Sequence, residues 1–145
     1  MKISTKGRYA LRMLTELAKN YGGDCMSLSE IAKRQDISKK YLEQIVALLN
    51  KSDFLVTERG NHGGYKLAKR PSEYTVGDIL RLTEGSLAPV SCLEHDPIVC
   101  ERSGDCETLP VWQGLYRVVT DYLDSITLQD ILDHETESYS NNYII

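Results

Sequence analysis

No apolar run among the 145 residues approaches the roughly 20 that a membrane-spanning helix needs. The opening MKISTKGRYALRML has no long apolar h-region of the kind a secretory signal carries. The chain is therefore expected in the cytoplasm, with no membrane partner. It also lacks a CxxC pair, a nucleotide-binding glycine motif and any convincing constellation of nucleophile, acid and base, so nothing in it calls for an enzyme. Its length suits one domain, or a small domain with an oligomerisation element, and excludes two large independent domains.

Positive charge is scarce in the second half. Residues 71–145 hold 3 Lys and Arg against 14 Asp and Glu, whereas residues 1–70 hold 14 against 7. A basic module is thus joined to an acidic one. The first suits a phosphate backbone, and the second would be repelled by it and should lie away from it. Unevenly spread solvated charge is the plainer reading of the same numbers.

The basic half carries three helical patterns. Ala10, Met13, Leu14, Leu17, Ala18 and Tyr21 recur at helical spacing from near Lys6, and Gly22-Gly23 ends the run. Ser27 and Glu30 have the capping-box spacing before Leu28, Ile31 and Ala32, and Gln35-Asp36-Ile37 makes a turn. Ser38 is an N-cap for a third helix with Leu42, Ile45, Val46 and Leu49 on one face and Lys40, Glu43, Gln44 and Ala47 on the other. Two short helices, a tight turn and a helix opening with Lys39-Lys40-Tyr41 make a helix-turn-helix, whose second helix reads the major groove from its N-terminal end. A merely solvated polar face would suit the same residues.

Phe54–Arg59 and Tyr65–Arg70 read as two strands around Gly60-Asn61-His62-Gly63-Gly64, a hairpin in the position of a wing, with Arg59, Lys66, Lys69 and Arg70 about it. Glycines at the tip would let backbone approach phosphate. Pro71 marks a boundary, and Thr75 with Asp78 caps a helix carrying Val76, Ile79, Leu80 and Leu82. After a loop from Ser86 to Leu109, Pro110 opens a long helix in which Trp112, Val119 and Ile126 recur every seven residues, with Leu115, Tyr116, Tyr122 and Leu123 between them. Such a helix in a small protein calls for a partner, and these seven residues are the expected homodimer face; packing within the monomer is the alternative. Thr127-Leu128-Gln129-Asp130 starts a short last helix. The expected division is 1–72 winged helix-turn-helix, 73–109 linking helix and cysteine loop, 110–134 dimerisation and terminal helices, and 135–145 a flexible tail.

Cys25 stands alone, as a small core or boundary residue, while Cys92, Cys100 and Cys106 share one short segment. An odd trio is a poor disulfide framework. Three thiolates folded toward one point by a loop containing Pro97 and Gly104 could serve an iron-sulfur cluster, leaving a fourth position for which His95 is the local candidate. Glu94, Asp96, Glu101, Asp105 and Glu107 are weaker donors. The gaps are too long for structural zinc, which favours pairs two to four residues apart. A redox-active thiol trio and incidental cysteines remain alternatives.

Together, MKISTKGRYALRML, ISKKYLEQIVALL, RGNHGGYKLAK, YTVGDILRLTEG and ITLQDIL resemble the family of winged-helix regulators that includes the iron-sulfur cluster regulator IscR and the cysteine-metabolism regulator CymR, over nearly the whole chain. The resemblance implies a mainly α fold with a small β-hairpin wing and a long dimerisation helix. It implies a homodimer binding a palindromic promoter site in double-stranded DNA, often as a repressor. Carried over, Ser38, Lys39, Lys40, Tyr41, Glu43 and Gln44 would meet the major groove, Arg59, Gly60, Asn61, His62, Gly63, Gly64 and Tyr65 would serve the wing, and Lys2, Lys6 and Arg8 would contact phosphate. Glu43 repels phosphate but can accept from cytosine N4, so it should sharpen sequence choice.

The cysteine trio resembles the branch in which this loop ligates a cluster, 2Fe-2S ahead of 4Fe-4S, and which controls cluster-biogenesis genes. The first gap here is longer, however, and Leu109 stands where IscR has a histidine ligand. Arg8 and Arg12 occupy the region from which some relatives recruit a ligand across the dimer, which leaves His95 as the candidate. The closing Asn142-Tyr143-Ile144-Ile145 is instead similar to the CymR branch, and implies cysteine synthase as a partner, or thiol redox, in control of cysteine metabolism.

Overall fold

Ser4 ends the extended N-terminus, and its hydroxyl accepts from the Gly7 amide to start α1 (Thr5–Lys19). Ala10, Met13, Leu14 and Leu17 form a fully buried stripe on this helix, which places it at the centre of the core. Ser27 caps α2 (Leu28–Gln35) by accepting from the Glu30 amide. The Glu30 carboxylate pairs with Arg34 at 2.7 Å. Asp36, left-handed at φ 52°, turns the chain, and Ser38 caps α3 (Lys39–Leu49). Leu42, Ile45 and Leu49 are buried against α1 and α2, completing a trihelical core. The structure, a computed structural model, describes residues 1–141, with side chains through Tyr139.

Strands β1 (Leu55–Glu58) and β2 (Gly64–Leu67) pair antiparallel with Leu55 opposite Leu67 and Glu58 opposite Gly64. Met26 adds a bridge to Tyr65, its amide and carbonyl paired with Tyr65 at 2.9 and 2.8 Å, so the wing is fastened to the segment before α2. The strands are shorter than the sequence suggests, and Arg59 lies in the tip.

At the base of the wing, buried Tyr74 donates its hydroxyl to the Phe54 carbonyl at 2.7 Å, accepts from the Lys69 amide at 3.0 Å and stands edge-on to the Phe54 ring. Tyr74→Phe keeps the packing but strands the Lys69 amide. It is expected to cost about 1–2 kcal/mol in urea unfolding, with the fold retained.

Helix α4 (Val76–Glu84) follows, capped by Thr75. After a segment with a short 3-10 helix at Ser91–Leu93 and turns through 101–105 comes α5 (Leu109–Ser125), with Pro110 in its first turn. Arg81 of α4 donates one nitrogen to both Asp124 oxygens of α5, at 2.7 and 2.6 Å. Helix α6 (Leu128–Asn141) starts in a reciprocal cap, in which the Asp130 carboxylate accepts from the Thr127 amide and hydroxyl while the Thr127 hydroxyl accepts from the Asp130 amide. These bonds hold the Asp130 carboxyl below its ordinary range.

The chain is mainly α with a two-stranded wing, as expected. Its last helix, however, continues through 135–141, which the sequence reads as loose tail. Ile131 and Leu132 pack on the main core, and Glu135 pairs with Lys19 of α1 at 3.1 Å, so the helix is anchored before its apolar pattern fades. Residues 142–145, with the tail motif, lie outside the described residues.

Candidate nucleic-acid interface and cysteine loop

The hydroxyl of Ser38 accepts from the Tyr41 amide at 3.2 Å, squaring off the first turn of α3. With Leu42, Ile45, Val46 and Leu49 turned inward, Lys39, Lys40, Glu43, Gln44 and Ala47 are left exposed, the division that the helical spacing implies. Tyr41 is only half-exposed, because its ring meets Tyr9 of α1 edge-on at 5.3 Å. It helps join α3 to α1, and the N-terminal half of α1, with Arg8 exposed and Lys6 half-buried, lies beside the start of α3. Lys2 is exposed.

Arg59, Gly60, Asn61 and His62 are exposed at the wing tip, while Gly63, Gly64 and Tyr65 are half-buried. Of the four wing cations, Lys66 is engaged, pairing with Glu58 at 2.6 Å. Arg59, Lys69 and Arg70 remain exposed. Gly64 has a structural reason beyond phosphate approach: at φ 155°, a Cβ there would collide with the Met26 carbonyl. Tyr65 likewise serves the wing's attachment, through its backbone bridge to Met26 and its packing on the core. Cys25 lies in a polar recess between the wing and α2, and burial and the Glu58 carboxylate push its thiol up. A thiol so shifted is a poor nucleophile.

The seven residues expected on a dimer face divide in two. Tyr116, Leu123 and Ile126 are partly buried and pack on the cluster of Val76, Leu80 and Leu87, and Ile126 lies just past the end of α5. Val119 is half-buried. Trp112, Leu115 and Tyr122 face outward, together with Val111 and Val118, which the sequence reading passed over. Val118 is 67% exposed and Tyr122 63%. Val111, Leu115, Val118 and Tyr122 are spaced four, three and four apart, the spacing of a heptad seam. Trp112 is exposed beside them, whereas Val119 and Ile126 of the sevenfold series are partly buried.

The cysteine segment carries the residues expected at a cluster site. Among the described residues no three His, Cys, Asp or Glu side chains form a group that could hold a metal ion. Cys100 and Cys106 line a cavity of about 520 Å³ with Arg102, Asp105, Glu107 and Thr108, whereas Cys92 sits in the turn at Ser91–Leu93 and does not line it. His95 is exposed and lines it no more than Cys92 does. Hydrogen bonds from Thr108, hydroxyl first and then amide, hold the Cys106 thiol below its ordinary value. Three free, half-buried thiols on one segment are present; the convergence that a cluster requires is not.

A family profile described as an iron-dependent transcriptional regulator, Rrf2, matches residues 3–134. The chain belongs to the Rrf2 family. It is 41% identical to the HTH-type transcriptional regulator CymR of Bacillus subtilis over 142 residues, 96% of this chain and 97% of that protein. The solved structure of CymR, the global cysteine regulator of B. subtilis, superposes with a TM-score of 0.79 at 39% identity, covering 92% of this chain and 98% of that one. That of T. potens IscR gives 0.77 at 38% identity, covering 95% and 90%. This Rrf2 chain is accordingly a transcription regulator and not an enzyme, and regulators of its family bind DNA. Among its described residues no helix is long and apolar enough to cross a membrane.

Proposed function

We propose that this Rrf2 regulator binds an inverted-repeat promoter site as a homodimer, each protomer placing the first turns of α3 in the major groove and its wing tip against the adjacent minor groove. The observation that carries this is the division of α3: an apolar face wholly absorbed by the core, and an outward face of Lys39, Lys40, Glu43 and Gln44 opening at a capped N-terminus. Repression follows where such a site overlaps a promoter. Selection from random duplexes with the purified protein is expected to enrich an inverted repeat with half-sites about one or two helical turns apart, and enrichment of unpaired half-sites would oppose a dimeric reader.

Glu43 is the specificity element of this arrangement. Its carboxylate repels phosphate on any sequence and is compensated only where a cytosine N4 amine faces it. Glu43→Ala is therefore expected to bind an unrelated duplex more tightly while losing about tenfold or more of its discrimination at one base pair, measured by fluorescence anisotropy with substituted operators.

Control of binding is assigned to residues 86–108. Near its start Leu87, 2% exposed, is inserted with Val76 and Leu80 into a cluster that also receives Ile3 and Tyr116. Movement of the loop thus bears on both the N-terminus and α5. The cysteines as placed do not fit a cluster, so no step is routed through one. The family's iron dependence and the CymR likeness name two effectors, and one experiment separates them. Iron and sulfide counts on anaerobically purified protein, lost in Cys92→Ala, Cys100→Ala and Cys106→Ala, would assign cluster control of cluster-biogenesis genes, 2Fe-2S or 4Fe-4S by spectrum. A metal-free protein whose operator affinity follows thiol oxidation or added cysteine synthase would assign the cysteine-metabolism role.

A further inference from the structure

Tyr9, Arg12 and Glu16 stand three and four residues apart on α1, on one face of the helix, and each engages the helix-turn-helix. Tyr9 meets Tyr41 of α3 edge-on. The Arg12 guanidinium lies over the Tyr9 ring at 5.3 Å, donates through Nε to the Gln35 side-chain oxygen at 3.1 Å, and donates through Nη2 to the Gln35 carbonyl. Glu16, 5% exposed, accepts from the Gln35 side-chain nitrogen at 2.6 Å and from Arg34 at 3.2 Å. Gln35 is the last residue of α2, so its carbonyl is among those a helix leaves without an internal partner, at the negative end of the helix dipole.

We propose that Arg12 is a positioning residue for DNA recognition: clamped between the Tyr9 ring and the end of α2, it fixes the angle at which the turn through Asp36 delivers α3. The inference rests on α3 as the reading element. Three separate bonds converge on Gln35, from Arg12 twice and to Glu16 once, and the same guanidinium lies over the ring of the tyrosine that meets Tyr41. A planar fork suits this double role and a lysine point charge does not. Because Asp36 and Ile37 follow directly, a small rotation at Gln35 is carried into the base-reading turn of α3, where angular errors are costly to specific contacts and nearly free for nonspecific ones.

The rival role for an exposed arginine beside a recognition helix is a phosphate contact, and the two differ in what they predict for charge. Arg12→Ala, Arg12→Lys, Gln35→Ala and the double variant Arg12→Ala/Gln35→Ala are measured by anisotropy against the selected operator and an unrelated duplex, across a salt series, with melting temperatures as a folding check. Positioning is expected to give about a tenfold loss on the operator alone in all three single variants. The double variant should be no weaker than either single, and the salt slope unchanged. If Arg12→Lys matches wild type while Arg12→Ala weakens both duplexes alike and lowers the salt slope by about one, the residue is a phosphate contact and the proposal is overturned. Additive losses in the double variant would overturn it too. A wild-type protein that does not distinguish the two duplexes would remove the reading of α3 beneath it, a failure visible before any variant is made.

Discussion

Leu115→Asp is expected to turn the protein into a monomer and to weaken operator binding by at least about a hundredfold, since a single half-site contact loses the gain from tethering two readers together. Leu115 stands in the middle of the outward seam of Val111, Val118 and Tyr122, and it is 42% exposed on the single protomer. No residue of α5 is fully buried within its own chain, so a helix of 17 residues is left with an apolar face for a partner to cover. A carboxylate placed there costs the protomer little, because it remains in water, but costs the dimer a buried and unpaired charge. Sedimentation velocity checks the association state, and cooperative melting checks that the protomer is still folded. Tyr116→Asp is the contrasting variant. Its ring packs inward on the Val76 and Leu80 cluster, so it should lower stability before it alters association. A Leu115→Asp protein that remains a dimer with wild-type affinity would place the interface elsewhere.

Gly64→Ala is expected to destabilise the chain by about 3 kcal/mol and to detach the wing. A Cβ at Gly64 meets the Met26 carbonyl and, at 2.9 Å, the Ser27 amide, which are backbone atoms that cannot rotate away. Relief requires breaking the paired hydrogen bonds between Met26 and Tyr65. Gly60→Ala is the control: its φ of 114° carries backbone strain, but nothing lies within 4 Å of the added carbon, so a cost of about 1–2 kcal/mol is expected. Urea unfolding compares the two, and limited proteolysis within 54–68 reports release of the hairpin. Equal stabilities for the two variants would show that the Met26 bridge does not hold the wing.

Much of this architecture was legible in the sequence because it is written in local signals. Ser27, Ser38 and Thr75 each cap the helix their spacing announces, and the inward residues of α3 are those its period selects. The wing was legible from its glycines, although the purpose of Gly64 was not: its close approach is to Met26, about forty residues earlier in the chain, and no local pattern encodes such a meeting. Helix α6 runs past its expected end, with Ile131 and Leu132 packed on the core and Glu135 paired with Lys19 of α1, contacts between distant parts of the chain. On α5 most of the apolar residues are legible, Val111 and Val118 excepted, but two faces carry them, and only the packing of α4 decides which face is turned inward. The cysteine loop is the part that local signals constrain least. Count and proximity in sequence suggested convergence, yet whether Cys92 joins Cys100 and Cys106 depends on the path of an irregular segment. The network about Arg12 was hidden for the same reason, since it joins α1 to Gln35 across 23 residues.

The most direct measurement is a titration of the full-length protein against its selected inverted repeat and a scrambled duplex of equal length, repeated over a range of salt concentrations. Expected is a preference of about a thousandfold or more for the inverted repeat, with affinity for both duplexes falling linearly on a log–log plot as salt rises. Equal affinity for the two duplexes at every salt concentration would contradict sequence recognition by α3.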